Sequence, residues 1–232
     1  MAKQLLEEDH RRIAEAIAAA EAGTSGEIYC VVAGQASAYR WVPVAVAVLA
    51  ALVTPFLVAL LAPAAHRWPV FGETWTSGNL TTLDIDHAVS AALQGQAVLQ
   101  IIVFAVVLAL ALPRAVRLVL TPRGIKRGLV HQAALQQFLA HGLQRTRGRT
   151  GILIYVALAE RQAVLLADEG INAKVSQTVW DEAIGALTHA AGTGRIADGF
   201  VTAIGQCGAV LARHFPPEPD DVNELPDRIV EL

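Results

Sequence analysis

The chain has 232 residues and a mean hydropathy of +0.44, and only 17% of its residues are charged. A typical soluble domain is roughly 25% charged, so the composition excludes an ordinary, wholly water-exposed globule. A net charge of −3 and a pI near 6.2 leave no electrostatic footprint for nucleic acid, and two cysteines are too few for a disulfide framework.

Residues 3–22 read as an amphipathic helix. Leu6, Ile13, Ile17 and Ala20 share one face, with Glu7, Glu8, Arg11 and Arg12 elsewhere. The charged opening carries no cleavable signal, so the first apolar stretch is expected to act as an uncleaved anchor. Gly23 stops the helix, Thr24-Ser25-Gly26 turns the chain, and Glu27–Ala33 (EIYCVVA) reads as a strand. Cys30 lies in this run and Cys207 in a later apolar helix, which predicts buried free thiols.

The stretch Val42–Ala62 contains no acid, base, Asn or Gln. As a helix rising 1.5 Å per residue, it reaches the roughly 30 Å of a bilayer's hydrocarbon core. A second uncharged stretch, Ala97–Leu112, reaches that length when extended to Leu120, with Arg114 and Arg117 snorkelling to the headgroups. Lys3, Arg11, Arg12 and Arg40 precede the first span. Arg114, Arg117, Arg123, Lys126 and Arg127 follow the second, whereas the intervening loop has Arg67 against Glu73, Asp84 and Asp86. The positive-inside rule places both termini in the cytoplasm, with the loop outside the inner membrane. The run from Arg114 to Arg127 holds five bases and no acid, and is expected to contact anionic lipid headgroups.

Beyond Thr121-Pro122, Arg123–Leu143 reads as an amphipathic helix and GILIYVALA as a strand buried on both faces. Glu160-Arg161-Gln162 reads as a hairpin tip and Ala163–Asp168 as the returning strand. Helices follow from Ile171 and from Ile196, broken by Gly192-Thr193-Gly194. The Pro-rich acidic end predicts disorder or loose docking. A lone strand leaves its backbone groups unpaired, so Glu27–Ala33 is expected to join the sheet formed by residues 151–168.

The predicted layout is therefore an α/β sandwich, a central sheet with helices packing on it, interrupted by an inserted transmembrane helical hairpin. Residues 1–40 and 121–215 form the soluble domain, 41–62 and 97–120 the spans, 63–96 an external loop and 216–232 a tail.

This element order, with SGEIYCVVAG, a helix, and then TGILIYVALAERQAVLLADEGI, resembles the TPM domain family, which includes the thylakoid lumen repair proteins and many bacterial membrane proteins. The resemblance covers 1–40 and 121–215. It implies either an accessory or assembly role at a membrane complex or an acid phosphatase activity, with divalent-cation binding in some members. The hairpin here has Glu160-Arg161 where the family often has two acids, and the usual layout places the domain outside the membrane.

Asp168 and Glu169, beside Gly170, are the candidate ligands for Ca²⁺ or Mg²⁺, with Asp181 or Asp198 needed to complete a site. The bland alternative is that they are acids at a helix start. No nucleotide loop, zinc-protease motif or nucleophile elbow occurs, the histidines are scattered, and no catalytic residue is assigned. Arg147 and Arg149 in Thr146–Gly151 read as a solvated turn able to meet an anion. The function expected is a non-catalytic binding, assembly or quality-control factor whose partners are membrane lipids and a membrane complex. The alternative is a metal-assisted phosphatase.

Overall fold

The computed structural model describes residues 5–65, 82–217 and 223–232. Contacts divide the chain into two compact units: one holds the chain up to Ala38 with everything from Pro122, and the other is Tyr39–Thr121.

The first unit is a three-layer α/β/α sandwich. Its four-stranded sheet contains β1 (Glu27–Ala33), β2 (Gly151–Ala157), β3 (Gln162–Ala167) and β4 (Ile229–Glu231), in the order β3-β2-β1-β4. β1 runs parallel to β2 from Glu27↔Gly151 to Ala33↔Ala157, and β3 returns antiparallel. All residues of β1 and β2 are buried, which explains why both are continuous apolar runs without polar alternation. Adjacent parallel strands cannot be joined by a tight turn and need a long crossover. Here the crossover contains the whole second unit.

Alternation along the strands sends side chains to two cores. Ile28, Cys30, Val32, Ile152, Ile154 and Val156 meet three helices: α1 (Glu7–Glu21), α7 (Asp181–Thr193) and α8 (Ile196–His214). Tyr29, Val31, Leu153 and Tyr155 face the other way, onto Val130, Ala134 and Phe138 of α5 (Arg123–Ala140). Trp180 and Phe200 fill the first core, and Leu143, in the short 3₁₀ turn Leu143–Arg145, seals the second. Both cysteines are buried and free.

Of the disorder or loose docking expected for the end of the chain, the structure shows docking, as an ordered strand. After the Pro-rich stretch, β4 adds in parallel to β1, pairing Cys30 with Ile229 and Val32 with Glu231. The Leu232 amide donates to Val32 O at 2.9 Å, and Gly34 N donates to Leu232 O at 2.8 Å. The exposed edge of β1 supplies these backbone partners, and Ile229 is buried beside it.

The second unit is built on two long helices packed against each other, α2 (Trp41–Ala65) and α3 (Thr82–Ala111), followed by α4 (Arg114–Leu120). Trp41–Leu61 and Ser90–Ala111 are long and apolar enough to cross a membrane, and Phe56, Leu60, Ile101 and Leu110 are exposed along them. Gln100 Nε2 donates to Ala51 O at 3.2 Å, giving the polar residue of the second stretch a partner on the first. The second helix differs from the expected 97–120 at both ends. It begins at Thr82, inside the predicted loop, and stops at Ala111. Pro113 lacks an amide donor and biases Leu112 away from helical geometry, so Arg114 opens a separate helix. The rest of the predicted loop, residues 66–81, lies outside the described residues.

Candidate functional site

The two acids singled out by sequence sit where β3 ends. Asp168 N still donates to Gly151 O at 2.9 Å, extending the ladder by one residue. Asp168 Oδ1 then accepts from Glu169 N at 2.7 Å, capping the one-turn helix α6 (Glu169–Asn172). Asp168 is buried to 9% exposure, and its Oδ2 has no hydrogen-bond partner. Glu169 points into solvent and forms an ion pair with Arg149.

That pairing joins two motifs read separately from the sequence. The Thr146–Gly151 turn lies against the Asp168–Gly170 turn, and Gly170 N donates to Arg149 O at 3.1 Å. A Cβ on Gly170 would sit 2.5 Å from Gly148 O and 2.7 Å from Arg149 O, so only glycine permits this approach. Arg149 adopts a left-handed conformation, with φ 51°. Arg147 does not join it on Glu169: its backbone amide donates to both oxygens of Glu224, at 3.2 and 3.1 Å.

The acids proposed to complete a cation site are used elsewhere. Asp198 pairs with Arg12 at 2.7 Å, and Asp181 opens α7, where it complements the helix dipole. Among the described residues, no three His, Cys, Asp or Glu side chains group to hold a metal ion. A hard cation takes six or more oxygens, and this corner offers the one unpartnered oxygen of Asp168 beside a Glu169 already neutralised by Arg149. As they stand, the pair does not fit such an ion.

Of the basic run, Arg114 and Arg117 lie on α4, while Arg123, Lys126 and Arg127 lie in the first turns of α5. Arg114, Arg123 and Arg127 are exposed; Arg117 and Lys126 are half-buried.

Three polar features were not legible in the sequence. Glu160, read as a hairpin tip, is buried at 8% exposure, and its carboxylate accepts from Ala36 N at 3.2 and 3.3 Å. The buried Tyr29 hydroxyl lies 3.1 Å from His141 Nδ1, beside a cleft of about 420 Å³ lined by His141, Arg145, Thr146 and Glu224. Glu21 accepts from Ile28 N at 2.7 Å, and burial pushes its pKa up to about 8. The Gly142 that stops α5 in a left-handed conformation was the available signal for the second. The Glu160 contact depends on long-range pairing, and that of Glu21 on the turn that brings β1 back beside the end of α1.

Residues 114–210 match the family model for the TPM domain. No curated protein matches the chain. The fold resembles the NMR structure of BA42 protein from the psychrophilic bacterium Bizionia argentinensis, with a TM-score of 0.55 and 20% identity over 100% of this chain and 98% of that one. At that identity the likeness speaks for the fold alone. The matched segment contains β2 and β3 with the helices from α4 to most of α8, and over these residues the chain is similar to the TPM domain family.

Proposed function

We propose that this protein is an integral inner-membrane protein whose TPM domain is a tethered binding module, acting in the assembly or quality control of a membrane complex. The observation that carries this reading is the position of the two apolar helices, between two strands that pair along their whole length. β1 precedes the helices and β2 follows them, so the domain cannot close unless the chain leaves and returns at one place. Such an anchor is joined to the domain by two chain segments instead of one. The bases from Arg114 to Arg127 support the same reading, because each juxtamembrane base near an anionic surface adds about 1 kcal/mol of attraction. They also favour cytoplasmic termini. Asp168 and Glu169 already serve a helix cap and an ion pair, which favours a structural role for both.

Crosslinking of the full chain in native membranes, followed by mass spectrometry, tests the proposal. One recurrent partner complex is expected, and crosslinks scattered over abundant proteins would overturn the assembly role. Orientation is tested by labelling single introduced cysteines. Asp86→Cys is expected to react from outside the cell, and Arg161→Cys only after permeabilisation; the reverse pattern would overturn the cytoplasmic placement.

A second reading, a metal-assisted phosphatase, is favoured by one observation: the buried, unpartnered Oδ2 of Asp168. It requires Glu169 to leave Arg149 and join a Mg²⁺ or Ca²⁺ site. Turnover of a generic phosphate ester by the full chain, dependent on metal and lost in Asp168→Asn, would establish this reading over the first.

A further inference from the structure

β3 forms one edge of the sheet. In an antiparallel ladder, backbone groups alternate between facing the partner strand and facing away. Asp168 N donates to Gly151 O, so Leu166, Val164 and Gln162 face β2, while Ala163, Leu165 and Ala167 turn their N–H and C=O groups outward. Asn172 Nδ2 takes the Ala167 carbonyl at 2.7 Å. No described residue bonds the outward groups of Ala163 or Leu165.

Exposed edges are normally guarded by Pro, charges, bulges or extreme shortness. The opposite edge, β4, is three residues long and includes Glu231. β3 has no such guard. From Ala163 to Ala167 every residue is apolar, and the pairing with β2 is unbroken. On α5, whose buried face packs over β3, Leu135 and Leu139 are left exposed.

The charges at its ends say what pairs with this edge. Arg161, exposed and in no ion pair with a described residue, stands immediately before β3, and Asp168-Glu169 stands immediately after it, where Arg149 offsets one of the two acids and leaves that end net negative. We infer that the outer edge of β3 docks a second copy of this chain, whose own β3 adds antiparallel and joins the two sheets into one. A two-fold interface must be self-complementary, and antiparallel pairing sets Arg161 of each copy against the Asp168-Glu169 end of the other. Parallel pairing would set like charge against like.

The mass of the full chain in detergent, measured by light scattering with the detergent contribution removed, tests this. Wild type is expected to reach twice the chain mass as concentration rises. Ala163→Pro removes an outward donor without touching the ladder to β2, and is expected to remain at the mass of one chain. Arg161→Glu is expected to do the same, and the double variant Arg161→Glu/Glu169→Arg is expected to restore the dimer. If Ala163→Pro does not fold, the charge-reversal pair decides alone. Wild type at single-chain mass throughout would overturn the inference. So would a dimer that survives Arg161→Glu, since that interface would lie elsewhere, or one that the double variant fails to restore.

Discussion

Gly208 of α8 packs directly on Ala20 of α1: a Cβ built on the glycine would stand 2.7 Å from Ala20 Cβ and 3.2 Å from Ala20 Cα. This contact closes the first unit, because α1 lies before the apolar helices in sequence and α8 lies after them. A larger residue must push two helix backbones apart. Gly208→Val is expected to lower stability by about 1–3 kcal/mol, read as a drop in thermal midpoint of the full chain. Gly205, on the same helix, has nothing within 4 Å of its built Cβ. There the helix-propensity gain stands alone, and Gly205→Ala is expected to raise stability by about 0.5–1 kcal/mol.

Glu21 gives the fold a pH dependence opposite in sign to that of a salt-bridged carboxylate. Burial raises its pKa to about 8 against the Ile28 N–H that holds its charged form, and the nearby carboxylates of Glu27 and Asp227 push the same way as burial. An unfolded Glu titrates near ~4.3. Between that value and about 8, the folded chain keeps a proton that the unfolded chain has lost. The contribution is therefore fully present at acid pH and declines as pH rises through that window. Thermal midpoints should fall from mildly acid to mildly alkaline pH, and Glu21→Gln should flatten the decline. An unchanged slope in Glu21→Gln would assign the effect to another group.

The parts of this fold that were legible in sequence are those decided by local composition. EIYCVVA and GILIYVA are strands buried on both faces, and their β-branched and aromatic residues, each run opening at a glycine-containing turn, mark them as strands. Their pairing followed from the need to give a lone strand a partner. The parts that were not legible depend on residues far apart in the chain. β4 is three residues behind a Pro-rich segment, and it becomes a strand because Cys30 and Val32 offer an open edge. The start of α3 at Thr82 falls in a stretch whose polar residues, Asp84, Asp86 and His87, read as loop. At the candidate site, Arg149 and Glu169 each stand out in the sequence. Their ion pair depends on the β2–β3 register and on Gly170 lying against the 148–149 backbone.

The two thiols should be inert in the native chain. Cys30 and Cys207 sit in the same core, and burial raises both pKa values, that of Cys207 to about 12. The thiolate is the reactive form, so a water-soluble thiol reagent at neutral pH should modify neither until denaturant is added. Stoichiometric labelling of the native protein, read by intact mass, would contradict this packing.

Glu160 makes two separable contributions, and its variants should pull them apart. Its carboxylate accepts the Ala36 amide, tying the segment after β1 to the tip of the β2–β3 hairpin. Its charge also adds to burial in raising the Tyr155 phenol to about 12. Glu160→Ala removes both the acceptor and the charge, and loss of a buried acceptor is expected to cost about 1–3 kcal/mol. Glu160→Gln keeps an oxygen that can accept from Ala36, so most of that stability should remain. Both variants remove the charge, so in both the Tyr155 titration, followed by phenolate absorbance, should move down while staying above an ordinary tyrosine because the phenol is still buried. If Glu160→Gln is as destabilised as Glu160→Ala, the charge and not the hydrogen bond holds the Ala36 segment in place.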